Sequence, residues 1–290
     1  MERALEGPAA LRAALQGGGV LVAPSVFDGL SLRAVERAGF RAAHVSGSAG
    51  AGSAFGLPDI GLVSMTEVVE HVRRLAATTK VPLVADGDTG YGGPSQVARF
   101  VSLLERAGAA AVHLEDQSFP KRCGFLPGKS VVDAAEFAER LAAAAAARSD
   151  PDFLVIARTD ALDLLGVDEA VARCRRYRAA GADLVFVEGI SSRDELEVIG
   201  REVAGPKMLN MVGSIASVEV TDDELAALGY ALVIYPALLV DAASRAMDDT
   251  LGELAREGRA FRATPYLGPV GLARSMGIEA WLPGLFDAAP

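Results

Sequence analysis

The chain has 290 residues, 51% of them hydrophobic, and a net charge of −10. That charge argues against nucleic acid or an anionic membrane as partner, and no apolar run approaches the ~18 residues of a spanning helix. Only two cysteines, Cys123 and Cys174, occur in this length, and no leader-like segment opens the chain, so a reducing, cytoplasmic location is expected.

Eight short apolar runs of strand type follow one another at residues 19–23, 42–46, 82–86, 110–115, 154–158, 184–188, 207–211 and 232–235. Amphipathic stretches long enough for helices separate them. Gly39, Gly108, Gly181 and Gly229 each stand shortly before a run, where a left-handed residue would end a helix. This alternation predicts an α/β fold, and eight is the number that closes a (β/α)8 TIM barrel. An open doubly wound sheet would also gather its strand ends on one side. No linker interrupts residues 1–290, which read as one domain, with 241–290 as a C-terminal helical extension.

Polar residues collect at the ends of the runs: Ser46, Asp86 with Asp88, Glu115, Arg158 with Asp160, Glu188 and Asn210. Carboxylates at neighbouring C-terminal strand ends converge on one rim, where oxygen can hold a hard divalent cation. A thiol follows in Lys121-Arg122-Cys123-Gly124, a candidate proton donor or acceptor whose thiolate Lys121 and Arg122 would favour if they point toward it. Plainer roles stand beside these: Asp86 and Asp88 as caps of the next helix, Ser46 as a turn cap, Arg158 in an ion pair with Asp160 or Glu188, Cys123 as a loop anchor. His44, His71 and His113 show no metal-ligand spacing in sequence. Cys174 falls in a helical stretch and reads as packed.

Val45-Ser46-Gly47-Ser48, Gly56-Leu57-Pro58-Asp59-Ile60-Gly61, Asp86-Gly87-Asp88-Thr89-Gly90-Tyr91-Gly92, Leu114-Glu115-Asp116-Gln117, Phe119-Pro120-Lys121-Arg122-Cys123-Gly124 and Ile156-Ala157-Arg158-Thr159-Asp160 are motifs in a distinctive order. Through them the chain resembles the isocitrate lyase and phosphoenolpyruvate mutase superfamily, above all its short methylisocitrate-lyase-like members. The resemblance implies a (β/α)8 barrel, Mg²⁺ or Mn²⁺, a small 2-oxo or 2-hydroxy acid as substrate, and a homotetramer whose subunits exchange a C-terminal helix. It implies further that Asp88 is the direct metal ligand and that Asp86 and Glu115 hold metal-bound waters. Ser46, Gly47, Ser48 and Arg158 would cradle the acid, Asp59 would gate it, and Glu188 and Asn210 would touch it or orient its ligands. Cys123, with Lys121 and Arg122 beside it, would protonate the enolate-like fragment left by carbon–carbon cleavage.

Two departures bear on the substrate. Phe125 stands where methylisocitrate lyases follow Cys-Gly with His, and Asn210-Met211-Val212-Gly213-Ser214-Ile215-Ala216-Ser217 replaces a Glu and a Thr-Pro-containing loop. Other readings of the same platform are phosphoenolpyruvate or carboxyphosphonoenolpyruvate mutase chemistry at a P–C bond, oxaloacetate decarboxylation or hydrolysis, and a noncatalytic oxo-acid binder.

Overall fold

The computed structural model describes residues 5–213, 215, 218–259 and 267–285. Eight parallel strands close on themselves in sequence order: β1 Leu21–Val26, β2 Ala43–Val45, β3 Leu83–Asp86, β4 Ala111–Glu115, β5 Leu154–Thr159, β6 Leu184–Val187, β7 Lys207–Asn210 and β8 Tyr230–Tyr235. Pairing of β1 with β8, from Leu21 opposite Leu232 to Pro24 opposite Tyr235, removes the open-sheet alternative.

The helices are α1 Gly7–Gln16, α2 Gly29–Arg37, α3 Gly47–Gly50, α4 Met65–Ala76, α5 Pro94–Ala107, α6 Ala134–Ala147, α7 Leu162–Leu165, α8 Val167–Ala179, α9 Arg193–Glu202, α10 Asp222–Ala227, α11 Leu238–Glu257 and α12 Gly268–Ser275. Local chemistry starts and stops them. Ser64 and Glu67 form a capping box at the head of α4, as do Thr221 and Glu224 at α10. Gly39, Gly108, Gly181 and Gly229 take φ of 81°, 95°, 108° and 80°, the left-handed values the sequence pattern predicted. Among the described residues no helix is long and apolar enough to cross a membrane.

Strand β1 begins two residues later than the sequence suggests because Gly18 and Gly19 are left-handed, at φ 78° and 77°. It then runs on through Pro24, whose fixed φ suits an extended strand.

Inside the barrel, Val84, Ala111, Ile156, Phe186, Met208 and Ile234 form one buried cluster. All but Ile234 lie two residues before a polar group farther along the chain: Asp86, His113 and then Glu115, Arg158, Glu188 and Asn210. Side chains alternate faces along a strand, so the stripe that fills the barrel floor also points these groups into its mouth. The other face packs Leu83, Val112, Leu114, Val155 and Ala157 against α5 and α6 residues such as Phe100, Leu104, Phe137 and Leu141.

Candidate active site

A cavity of about 190 Å³ opens at the C-terminal ends of the strands. Its wall includes Ser46, Ser48, Asp59, Asp86, Lys121, Cys123, Arg158, Glu188 and Asn210. Asp88 lines the adjoining recess together with Asp59 and Asp86, and Glu115 is buried beside them on β4.

Neither Asp86 nor Asp88 caps the following helix. The N-cap of α5 is Gly93 and Pro94 takes the first turn, so both carboxylates remain in the site. Asp88 is left-handed at φ 47°, rare outside glycine and tolerated by Asp because its short side chain bonds locally. The Tyr91 hydroxyl donates to Asp88 Oδ2 at 3.1 Å, and Lys121 Nζ lies 2.6 Å from Oδ1. Burial raises the Asp88 carboxyl to about 6 against the opposing pull of Lys121. Glu115 is driven well above the ordinary range by the same burial, only partly relieved by Arg158 and Lys121. Burial would raise Asp86 too, but His113, Lys121 and Arg158 together hold it below the usual carboxylate range.

Ser46 keeps its plainer role, its Oγ accepting the Ala49 amide at 3.2 Å to cap α3. Gly47 N–H donates to Asp86 Oδ2 at 3.2 Å, and a Cβ at position 47 would stand 2.7 Å from that oxygen. Only glycine lets α3 approach the acid so closely. Ser48 is the exposed member of the trio and faces the cavity.

Arg158 is held by carboxylates at the ends of three strands. Nε and Nη2 donate to the two Asp160 oxygens at 2.7 and 2.9 Å, Nη1 is 3.2 Å from Glu188, and Nε is 3.4 Å from Glu115. The ion pairs expected as its structural role are therefore present, and it still borders the cavity. Asn210 Nδ2 donates to both Glu188 oxygens at 3.1 Å, while its own buried Oδ1 has no partner among the described residues.

The basic residues before Cys123 turn elsewhere. Lys121, whose charge burial opposes, is kept protonated by Asp88, Glu115, Asp86 and Asp59 and forms an ion pair with Asp59. Arg122 Nη1 donates to the Pro127 carbonyl at 2.7 Å. Burial instead raises the Cys123 thiol, only partly offset by the Phe125 amide and Arg158. Cys123 is thus a protonated thiol rather than the thiolate expected had the two cations faced it. The loop closes on Asp59, whose carbonyl accepts the Cys123 amide at 2.9 Å. Cys174 is fully buried in α8, as expected of a packed residue.

Two histidines without a pattern in sequence meet inside the barrel. His44 Nε2 lies 2.9 Å from His113 Nε2, and Ser25 Oγ lies 2.7 Å from His44 Nδ1. Burial pushes these imidazoles down to about 3 and about 4, so both are neutral. With Asp86 they bring one ligand atom each within 4.8 Å, a spacing a metal ion could span. Their Nε2 atoms already face each other, so that ion would have to displace a hydrogen bond. The acid group fits a hard cation better: Glu115 Oε1 is buried without a hydrogen-bond partner among the described residues, Asp88 and Glu115 resist ionisation as they stand, and all donors are oxygen. The sequence signal for the histidines was parity, since His44 and His113 stand two residues before Ser46 and Glu115.

Residues 11–255 match the phosphoenolpyruvate phosphomutase family. The chain belongs to that family. Within it, the chain is 41% identical over 249 residues to a probable 2-methylisocitrate lyase of Corynebacterium glutamicum, covering 86% of this chain and 81% of that one. A crystal structure of 2,3-dimethylmalate lyase, a PEP mutase/isocitrate lyase superfamily member, superposes with a TM-score of 0.90 at 36% identity over 99% of both chains. Phosphonopyruvate hydrolase in complex with oxalate and Mg²⁺ gives a TM-score of 0.85 at 32% identity over 98% of this chain and all of that one. The family member described here accordingly takes its place among the carbon–carbon lyases of that superfamily, and it is an enzyme.

Proposed function

We propose that the protein is a divalent-metal-dependent lyase that splits a carbon–carbon bond of a small 2-hydroxy or 2-oxo acid, with Cys123 as proton donor. The observation that carries this reading is the placement of Cys123 on the same cavity wall as Arg158, Asp86 and Glu188, where burial favours the protonated thiol. Asp88, with Asp86 and Glu115, would hold Mg²⁺ or Mn²⁺, which when bound supplies Lewis-acid stabilisation of charge on the substrate's 2-oxygen.

For a 2-hydroxy acid, the hydroxyl proton passes to water, which later returns a proton to the Cys123 sulfur, and the electron pair left on oxygen forms the new C=O. The C–C electrons pass to the carbon alpha to the departing carboxylate, and the proton on Cys123 Sγ quenches that enolate-like fragment. Arg158 and Ser48 would face the acid group, and Lys121 would fix Asp59 at the gate. Arg122, bonded outside the cavity, is left with a loop-stabilising part.

A homotetramer joined through the C-terminal arm is supported by exposed Met247, Leu251 and Leu254 on α11, with Leu267, Val270 and Trp281 beyond it. A monomer by light scattering would overturn that part.

Specificity is read from the apolar part of the cavity wall, which includes Phe125, Val212, Ile234, Pro236, Ala237 and Val240, with Asp241 also on the wall. Phe125 interlocks with Gly213, where a Cβ would come 3.0 Å from the ring. Ser214, Ala216 and Ser217 lie outside the described residues. The cations that might have served a distal carboxylate are engaged elsewhere: Lys121 with Asp59 and Asp88, Arg122 with Pro127, and Lys129 with Gly124. Burying a carboxylate there without a partner is strongly unfavourable. An alkylated malate is therefore expected to exceed methylisocitrate in kcat/KM, by about tenfold or more for one unpaired carboxylate. Methylisocitrate turned over as well as the best alkylmalate would remove this reading of specificity.

A further inference from the structure

We propose that Lys129 is the positioning residue that seats Cys123, acting by clamping the Gly124 carbonyl to the Arg158–Asp160 pair; the inference rests on the thiol's role proposed above. The Lys129 side chain is 3% exposed although the loop around it faces solvent. Its Nζ donates to the Gly124 carbonyl at 2.8 Å and lies 3.4 Å from Asp160 Oδ1 and 3.0 Å from Asp163 Oδ1.

The geometry around Gly124 shows what this clamp does. A Cβ there would stand 2.7 Å from both Arg158 Nη2 and Glu188 Cγ, so the backbone next to Cys123 rests directly on the charged floor of the cavity. The chain before the thiol is secured by other contacts. Gln117 pairs with Val131 at the loop's base, and the Gln117 side chain binds both backbone groups of Arg122, at 2.8 and 2.9 Å. On the Cys123 side, the Asp59 carbonyl accepts the Cys123 amide, but Asp59 belongs to another loop. Gln117 holds the peptide before Cys123, and among the described residues Lys129 is the side chain that ties the Gly124 carbonyl, just after it, to the end of β5.

Removing the ammonium leaves Asp160 its hydrogen bonds from Arg158 and Gln117, so the carboxylate stays bound at the end of β5 with one cation fewer. The Gly124 carbonyl loses its charged donor, and the loss falls on the loop. A hydrogen bond to a charged group is worth roughly 10- to 100-fold in a local opening equilibrium. Misplacing a reacting group by about 1 Å can cost ~10²-fold in rate.

The test compares Lys129→Met and Lys129→Arg in the full chain, reading the rate of Cys123 alkylation by iodoacetamide alongside kcat and KM. Buried Cys174 is the unreactive internal reference. Lys129→Met should speed alkylation about tenfold or more and lower kcat about 10- to 100-fold with little change in KM. Lys129→Arg, which keeps a charged donor, should stay close to the parent in both. Asp163→Asn should also stay close, because Asp163 is half exposed and meets the Lys129 ammonium without touching the Gly124 carbonyl. Alkylation at the parental rate in Lys129→Met overturns the proposal, and so does a Lys129→Arg variant as impaired as Lys129→Met. Should Lys129→Met fail to fold, Lys129→Gln is judged by the same criteria. The alkylation readout needs no turnover, so a parent inactive on every acid would defeat the lyase reading and leave this inference to be decided on its own.

Discussion

Asp88→Asn is expected to leave a folded barrel that has lost turnover by on the order of 10³-fold or more, the several kcal/mol that a catalytic metal supplies. Asparagine is the informative replacement because position 88 is left-handed, at φ 47°, and Asn tolerates that backbone whereas alanine adds about 1 kcal/mol of strain. The substitution keeps the side chain's shape and the oxygen facing Tyr91 while removing the charge opposite Lys121. Metal titration followed by calorimetry, together with the melting temperature, separates the two effects: binding of Mg²⁺ should vanish while the melt moves little. Undiminished turnover of the parent in excess chelator would defeat the metal-dependent reading.

Cys123→Ser should lower kcat by ~10²- to 10⁴-fold, the usual contribution of a positioned acid or base, with KM nearly unchanged. A serine hydroxyl fits the same space but is a far weaker acid than a thiol, so the enolate-like fragment waits for a proton from water. The direction of the thiol's shift matters here. Burial keeps Cys123 protonated, the state required of a donor, whereas a depressed pKa would have pointed to a nucleophile. A loss smaller than about tenfold would reduce Cys123 to a loop anchor. If the parent binds oxo acids and turns over none of them, the protein is a binder built on an enzyme's platform.

Much of this site was legible because strand parity and strand ends are local properties. Asp86, Glu115, Arg158, Glu188 and Asn210 each close an apolar run, and closure of the barrel turned that linear list into one rim. What escaped was side-chain direction in the loops. Lys121 and Arg122 adjoin Cys123 in sequence, yet Lys121 is drawn to Asp59 and Asp88 from two other loops, and Arg122 folds back to Pro127. Lys129 escaped for the same reason, since its partners Gly124 and Asp160 become neighbours only when the loop settles on β5. The contact between His44 and His113 spans 69 residues and exists only because β2 and β4 flank β3 in a closed sheet.

The shared stripe inside the barrel makes chain length a constraint on chemistry. On β5, Ile156 fills the floor and Arg158 enters the mouth, while Val155 and Ala157 face the helices. Deleting or inserting one residue within that strand would exchange the two faces, sending the guanidinium toward the helices and an alanine or threonine into the cavity. A one-residue change of strand length would therefore disturb packing and reactivity together, unlike a side-chain substitution. Divergence by gain or loss of residues is therefore confined to the connections between strands, and there the two loops that meet at Asp59 and Cys123 are free to reshape what the rim accepts.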